Sequence, residues 1–428
     1  MVLLFASALI GQQTLEQRIA SRITLDNGYG DYVRAAEIVE DGNFGAYQLW
    51  LGYKFRRHTL ENEADQPLIP PGVDASDPYL EVERKMVDRY GACNRLIQAG
   101  NLKQVYDPRT TYSASTKFPE LAPFKALARL EAAAAQVDFA EGRSNSAVST
   151  LIGEITFSRK LCAGPVLSRF VGIACQTIGL SVINEHLPQL SLYDAKSLEK
   201  VSSDSAGDST LTRDAIRRDN QIALAEVAKL FEHPSGYLAA SGTNDDDGRI
   251  SSACQAVAKL SRNDRDDVHS LVMGAIQNFD DGICAELVGP ESGWSFDAPE
   301  QTDNDLSTKR GLANEIVDLV TMRGSEGQLL RLEGKIRTQM HLLYLHSKAI
   351  QFRWLHGHLP DKIEDFTAAS ERSDPFSKQS YRYERTADWY KLTSAGFGGF
   401  GEIALKYVAS GGSGGAGTAS PAVGNGQP

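Results

Sequence analysis

The residues of this chain that could do chemistry lie scattered, and each group must meet the geometry its chemistry demands. Gly396-Phe397-Gly398-Gly399-Phe400-Gly401 has the G-x-G-x-x-G spacing with which backbone amides hold a dinucleotide's pyrophosphate. That chemistry also needs the motif to open a strand-helix-strand unit, with an acidic residue about 20 positions on. Here a tail of Gly, Ser, Ala and Pro follows, so nucleotide binding is not expected. Asn244-Asp245-Asp246-Asp247-Gly248 resembles the middle of an EF-hand loop, but its first and twelfth positions fall on Thr243 and Cys254 instead of carboxylates. A solvated acidic loop is the expectation. His341 and His346 are spaced i, i+5, which sets their rings roughly 140° apart on a helix; with His356 and His358 they read as structural or surface histidines. The adjacent acids Asp266-Asp267 and Asp280-Asp281 diverge by about 100° on a helix and cannot pair for acid/base work. No P-loop or HExxH occurs. No catalytic, cofactor-binding or metal-ligating residue is therefore assigned, and no cofactor is expected. The five cysteines (Cys93, Cys162, Cys175, Cys254, Cys284) include no CxxC pair. Cys162 and Cys175 read as small core residues, and only Cys254 with Cys284 is a pairing to consider.

The elements that would position any site are helical. The central one runs from Pro165 to Leu187, where FVGIACQTIGLSVI carries no charge over fourteen residues. A helix apolar on all sides is a buried helix, and this run falls short of the about 20 apolar residues of a membrane span. Gly172, Cys175 and Gly179 form one stripe of small residues where a neighbouring helix can approach closely. Each glycine costs about 1 kcal/mol against alanine in a helix, so close packing is their expected use.

Before it come short helical pieces from Leu15, broken at Asn27-Gly28, and a second helix over Asp31 to Val39. A loop covers 61 to 78. One amphipathic helix follows, capped by Ser76-Asp77-Pro78, with Val82, Met86, Tyr90, Cys93 and Ile97 on one face and Gly100 at its end. Leu127, Leu130, Ala134 and Val137 make a helix, Gly142 turns the chain, and Ala147, Leu151 and Ile155 make the next. After Pro188 the periodicity predicts helices over Leu192–Val201, Thr212–Phe231, Ile250–Leu260, Asp305–Met322 and Glu326–Leu355, with polar loops at 202–210 and 241–248. Helix is expected for more than half of the residues from Leu15 to Trp354. Beyond Gly357 come a short helix ending near Phe366, a turn at Asp374-Pro375-Phe376, and two strands, Tyr381–Arg385 and Trp389–Thr393.

Two stretches resemble known families. Ala135, Gly142, Ala147 and Leu151 resemble a tetratricopeptide helical hairpin, although Glu131 and Asp138 stand where that repeat prefers Trp and Tyr. No second copy occurs at a 34-residue period, so a lone hairpin packed on the Pro165 helix is expected. The combination HGHLPDKIEDF, DPF, YRY and WYKLTSAG resembles the soluble end of the major pseudopilin of type II secretion systems, which implies a long helix carrying a small sheet. That family commonly binds calcium in a loop after its sheet. The matching stretch here, Ser394 to Glu402, has Phe397 and Phe400 where acids would stand, so the module is expected to fold without the ion, with both rings as apolar anchors. Together these features resemble a group of exported bacterial proteins of the planctomycete kind, and that resemblance implies no activity.

The fold class expected is mainly α: a helical-hairpin body with a small C-terminal α/β module made of a long helix and a short antiparallel sheet. The divisions are a signal-peptide remnant at 1–12, a helical body at 13–356, a pseudopilin-like module at 357–408 and an uncharged Gly/Ser/Ala tail at 409–428 that cannot bury enough surface to fold. A net charge of −11 without a basic patch argues against nucleic acid and anionic membrane as partners. Lys54-Phe55-Arg56-Arg57 and Arg217-Arg218 read as solvated faces. The opening MVLLFASALIG resembles a secretory signal, though it lacks a basic n-region, which implies a secreted, periplasmic or envelope location and no membrane span in the mature chain. The expected function is a non-enzymatic interaction or envelope-structural component with a protein partner. The alternatives are an enzyme, such as a hydrolase, with a dispersed site, and a pseudopilus-associated component.

Overall fold

Apolar residues at helical spacing become buried helix faces through most of the chain. The computed structural model describes residues 13–19, 23–56, 68–113, 116–206, 210–237, 248–288, 305–321, 323–374, 376–396 and 401–409. The signal-like opening, the acidic loop at 244–247 and the phenylalanines Phe397 and Phe400 lie outside them, as does the side chain of Cys284 and hence its pairing with Cys254. Five helices lead: α1 (Leu15–Ile19), α2 (Tyr29–Val39), α3 (Gly42–Arg56), α4 (Tyr79–Tyr90) and α5 (Ala92–Asn101). The single helix expected from Ser76 to Gly100 is two, divided at Gly91. Val82, Met86, Tyr90, Cys93 and Ile97 are nonetheless all buried. Ser76 does not cap α4; its hydroxyl donates to Asp74 at 2.6 Å, and Pro78 precedes the first turn. Helix α3 escaped the periodicity because three glycines interrupt it, yet Phe44, Tyr47, Trp50 and Leu51 are buried from it.

The predicted hairpin is α6 (Leu121–Ala140) and α7 (Ser144–Lys160), joined at Gly142, whose φ of 76° only glycine adopts freely. It packs on α8 (Val166–His186), which starts one residue after Pro165. The small-residue stripe of α8 lies against α7. A Cβ on Gly172 would stand 2.6 Å from the Ser158 carbonyl oxygen and 2.4 Å from Cys162 Sγ, and one on Gly179 would stand 2.0 Å from Glu154 Oε2. Helix α8 is long and apolar enough to cross a bilayer; in this fold Gly172, Ile173, Cys175, Gly179, Leu180 and Ile183 are buried by protein.

Two carboxyls are enclosed in this hairpin. Glu131 takes a hydrogen bond from Asn94 Nδ2 at 2.8 Å, and Glu154 takes one from Ser158 Oγ at 2.7 Å. Burial pushes Glu131 up to about 8, and burial together with Glu131 pushes Glu154 well above the usual carboxylate range. The folded chain therefore holds a proton on Glu131 that the unfolded chain releases near pH 4.5. The stability this contributes is complete below that pH and is lost as pH rises to about 8. The expected loss is on the order of 4 kcal/mol. Urea midpoints measured from pH 5 to 8 should fall, and Glu131→Gln should flatten the fall; an unchanged slope in the variant would refute the assignment.

Next come α9 (Leu192–Ala206), α10 (Thr210–Glu232), α11 (Arg249–Lys259), α12 (Arg262–Val288), α13 (Lys309–Val320) and α14 (Arg323–His356). Helix α9 continues into the expected polar loop because Ser202 and Ser205 turn their hydroxyls back onto the Leu198 and Val201 carbonyls, which hides their polarity. The expected Asp305 start of α13 is instead its entry turn: Thr308 caps Gly311 N–H at 2.9 Å. The short helix after Gly357 is one 3₁₀ turn, Ile363–Asp365.

The fold ends in a three-stranded antiparallel sheet, β1 (Arg382–Arg385), β2 (Trp389–Ser394) and β3 (Ile403–Val408), in the order β1-β2-β3. Register pairs Arg382 with Thr393 and Trp389 with Val408. The third strand corrects the two expected, and its Ile403, Leu405 and Tyr407 alternate inward. The sheet lies on α14. His346 Nδ1 meets Tyr390 Oη at 2.5 Å and His341 Nδ1 meets Tyr381 Oη at 2.8 Å. Burial lowers His346 to about 3 and keeps it neutral. One hydrophobic core runs from Ala132 to Tyr407 through α6–α9, α14 and the sheet; a second fills α1–α6; a third is built from α10–α13 with Tyr237.

Candidate functional site

Helix α10 touches both the central helix and the third core. Its Ile216, Ala223, Val227 and Leu230 are buried, as the 3.6 period requires. Asn220 occupies the same stripe, between Ile216 and Ala223, and is 5% exposed. An amide at a core position needs partners. Among the described residues, neither Asn220 Oδ1 nor Nδ2 has one.

Asn220 borders a cavity of about 320 Å³, roughly twice the engineered apolar cavity that admits benzene and within the range of small-molecule sites. Its apolar wall comes from Phe118, Pro165 and Leu167 at the start of α8, Ile222 and Leu230 of α10, Ile250 of α11, and Leu319 and Val320 at the end of α13. Its ionisable groups are Asp219, Glu226 and the Tyr237 phenol. Asp219 Oδ1 accepts the Val166 N–H at 3.1 Å, capping α8 from a neighbouring helix. Its Oδ2 is buried without a partner among the described residues. Burial pushes Asp219 up to about 6, against the opposing pull of that one hydrogen bond. Glu226 is held by Tyr237 Oη at 3.1 Å and Lys229 Nζ at 2.8 Å. Each buried polar group left without a partner costs about 1–3 kcal/mol, so the wall formed by Asp219 and Asn220 favours whatever supplies their missing hydrogen bonds.

A second, more polar recess of about 400 Å³ shares Ile222 and is lined by Tyr106, Asp107, Arg109 and Arg218. Its buried cation is already engaged. Arg109 meets Asp107 at 3.1 Å, Glu120 at 2.8 Å and the Lys117 carbonyl at 3.1 Å. It therefore offers less to a ligand than the cavity at Asn220.

The motifs singled out in the sequence do not converge here. His341 and His346 are spent on the sheet; His356 and His358 lie at the end of α14 with ring centroids 6.3 Å apart beside Phe352. Among the described residues, no three His, Cys, Asp or Glu side chains gather as metal ligands. Glu402, the one carboxylate of the expected calcium loop, pairs with Arg382 on β1. Arg217 is exposed as a solvated face would be, whereas Arg218 borders the second recess. Asp219 and Glu226 carried no mark in the sequence, but Asn220 did: it is the polar residue in an apolar stripe. Comparison with family models, with curated proteins and with solved structures finds no match for this chain.

Proposed function

We propose that this chain is a non-enzymatic binding protein that holds a small amphipathic molecule in the α10 cavity. The observation that carries the reading is the Asn220 amide, buried at the wall of an apolar cavity with both of its polar atoms lacking a partner among the described residues. Apolar walls with a few placed polar groups are the make-up of small-molecule sites. An enzyme could use Asp219, a wall acid that burial lifts toward neutrality. The described wall has no histidine, cysteine or lysine to pair with it, so binding is the better supported reading.

The full chain should bind the neutral dye N-phenyl-1-naphthylamine saturably, at one site. Leu167 is 44% exposed at the cavity, so Leu167→Trp should narrow it without disturbing the core. The variant is expected to keep its melting temperature and to bind the dye at least tenfold more weakly. Non-saturable dye uptake, or equal affinity in the variant, would remove the cavity from consideration.

A further inference from the structure

We infer that the α10 cavity selects an organic cation, a protonated amine carried on an apolar body. The inference rests on the binding reading above and adds the charge of the head group. Among the described residues, the charged side chains on the wall are the carboxylates Asp219 and Glu226, and the other polar groups facing them are neutral: Ser113 and Thr116 from the loop before α6, Tyr237, and Thr321 after α13. Lys229, on the exposed side of α10, is tied to Glu226 Oε1 at 2.8 Å, and Tyr237 holds Oε2. Asp219 is different. One oxygen is committed to the Val166 amide, and the other is buried with no partner among the described residues, next in sequence to the partnerless Asn220 carbonyl oxygen.

An ammonium group has three donors and no acceptor. Its charge offsets the Asp219 carboxylate in a setting where burial weakens screening by water, and its donors suit Asp219 Oδ2 and Asn220 Oδ1, acceptors with no partner among the described residues. A carboxylate head would face Asp219 with like charge and give Asn220 Oδ1 nothing. A neutral amide head can serve Asn220 on both atoms but leaves Asp219 without a counter-charge. The apolar body would lie along the apolar lining residues Phe118, Leu230, Ile250 and Leu319.

The test is competition against N-phenyl-1-naphthylamine on the full chain at pH 7.5, with heptylamine, heptanamide and heptanoate as probes of equal length. Heptylamine is expected to displace the dye at a concentration at least tenfold below that of heptanoate, with heptanamide between them. Asp219→Asn keeps an oxygen for the Val166 amide and should bring the amine-to-carboxylate ratio near one. Should that variant fold poorly, the heptylamine-to-heptanamide ratio of the unaltered chain, two probes that do not themselves titrate between pH 5 and 7.5, should fall toward one at pH 5, because burial raises the proton affinity of Asp219. Failure of the dye itself to bind would defeat the binding reading. Dye binding with heptanoate equal to or better than heptylamine, with no displacement by any of the three probes, or with a preference that survives both Asp219→Asn and pH 5, would leave that reading standing and overturn this one.

Discussion

Gly172→Leu is expected to unfold at a far lower denaturant concentration than the unaltered chain, or not to fold. Helices α7 and α8 meet so closely at Gly172 that even a Cβ would stand 2.6 Å from the Ser158 carbonyl oxygen. Backbone cannot rotate away as a side chain can. Overpacking of a core typically costs about 1–3 kcal/mol, and here a whole isobutyl group must enter, so the upper end or beyond is expected. Gly274 of α12 is the matched control, because nothing lies within 4 Å of a Cβ there. Gly274→Ala should hold or raise the midpoint, since alanine is the better helix former. If Gly172→Leu melts in urea with the parent's midpoint, α7 and α8 do not pack as described.

Arg169→Met should be the second large loss. Arg169 stands in the first turn of α8, 3% exposed, and joins four elements. Its Nε donates to Thr212 Oγ1 at 2.9 Å on α10 and to Glu333 Oε2 at 3.0 Å on α14; its Nη1 reaches Cys162 Sγ at 2.7 Å in the turn after α7. Thr212 completes the cluster by donating to Glu333 Oε2 at 2.8 Å. Removing the arginine leaves the fully buried Glu333 carboxylate without its cation, and breaking a buried pair from one side costs about 3–5 kcal/mol. Replacing both partners with apolar residues is often neutral or stabilising. Arg169→Met with Glu333→Leu should therefore recover most of the loss in a double-mutant cycle. A single variant within about 1 kcal/mol of the parent, or a double variant no better than the single, would show that the pair is not coupled.

Local pattern made the helices legible. The stripes Val82-Met86-Tyr90, Ile216-Ala223-Val227 and Leu329-Leu343-Ile350 are buried where the 3.6 period puts them, and Gly142 turns the hairpin at the residue its type requires. Arg262–Val288 is a helix that the periodicity did not mark, and three other misses share one cause. Gly42–Arg56, Ser202–Ala206 and Ile403–Val408 each carry a local signal that opposes or weakens the true one: glycines in α3, serines at the end of α9, and short apolar-polar alternation beside a low-complexity tail. Tertiary contacts override such weak local preferences.

What the sequence by itself determined is the helical class, the central α8 with its close-packing stripe of Gly172, Cys175 and Gly179, the long helix α14, and two of the three strands that follow it. These follow from periodicity and residue size, which act over a few residues. The cavity was decided only by the tertiary structure. Its wall takes Phe118, Leu167, Asn220, Ile250 and Leu319 from five separate segments, and no spacing rule relates residues that distant in the chain. Arg169 likewise stands one residue before the uncharged run of α8, where nothing local marks it, and only the approach of Thr212 and Glu333 makes it a buried tie. A side chain's burial, its partners and its proton affinity are properties of the groups that fold around it, and those groups come from elsewhere in the chain.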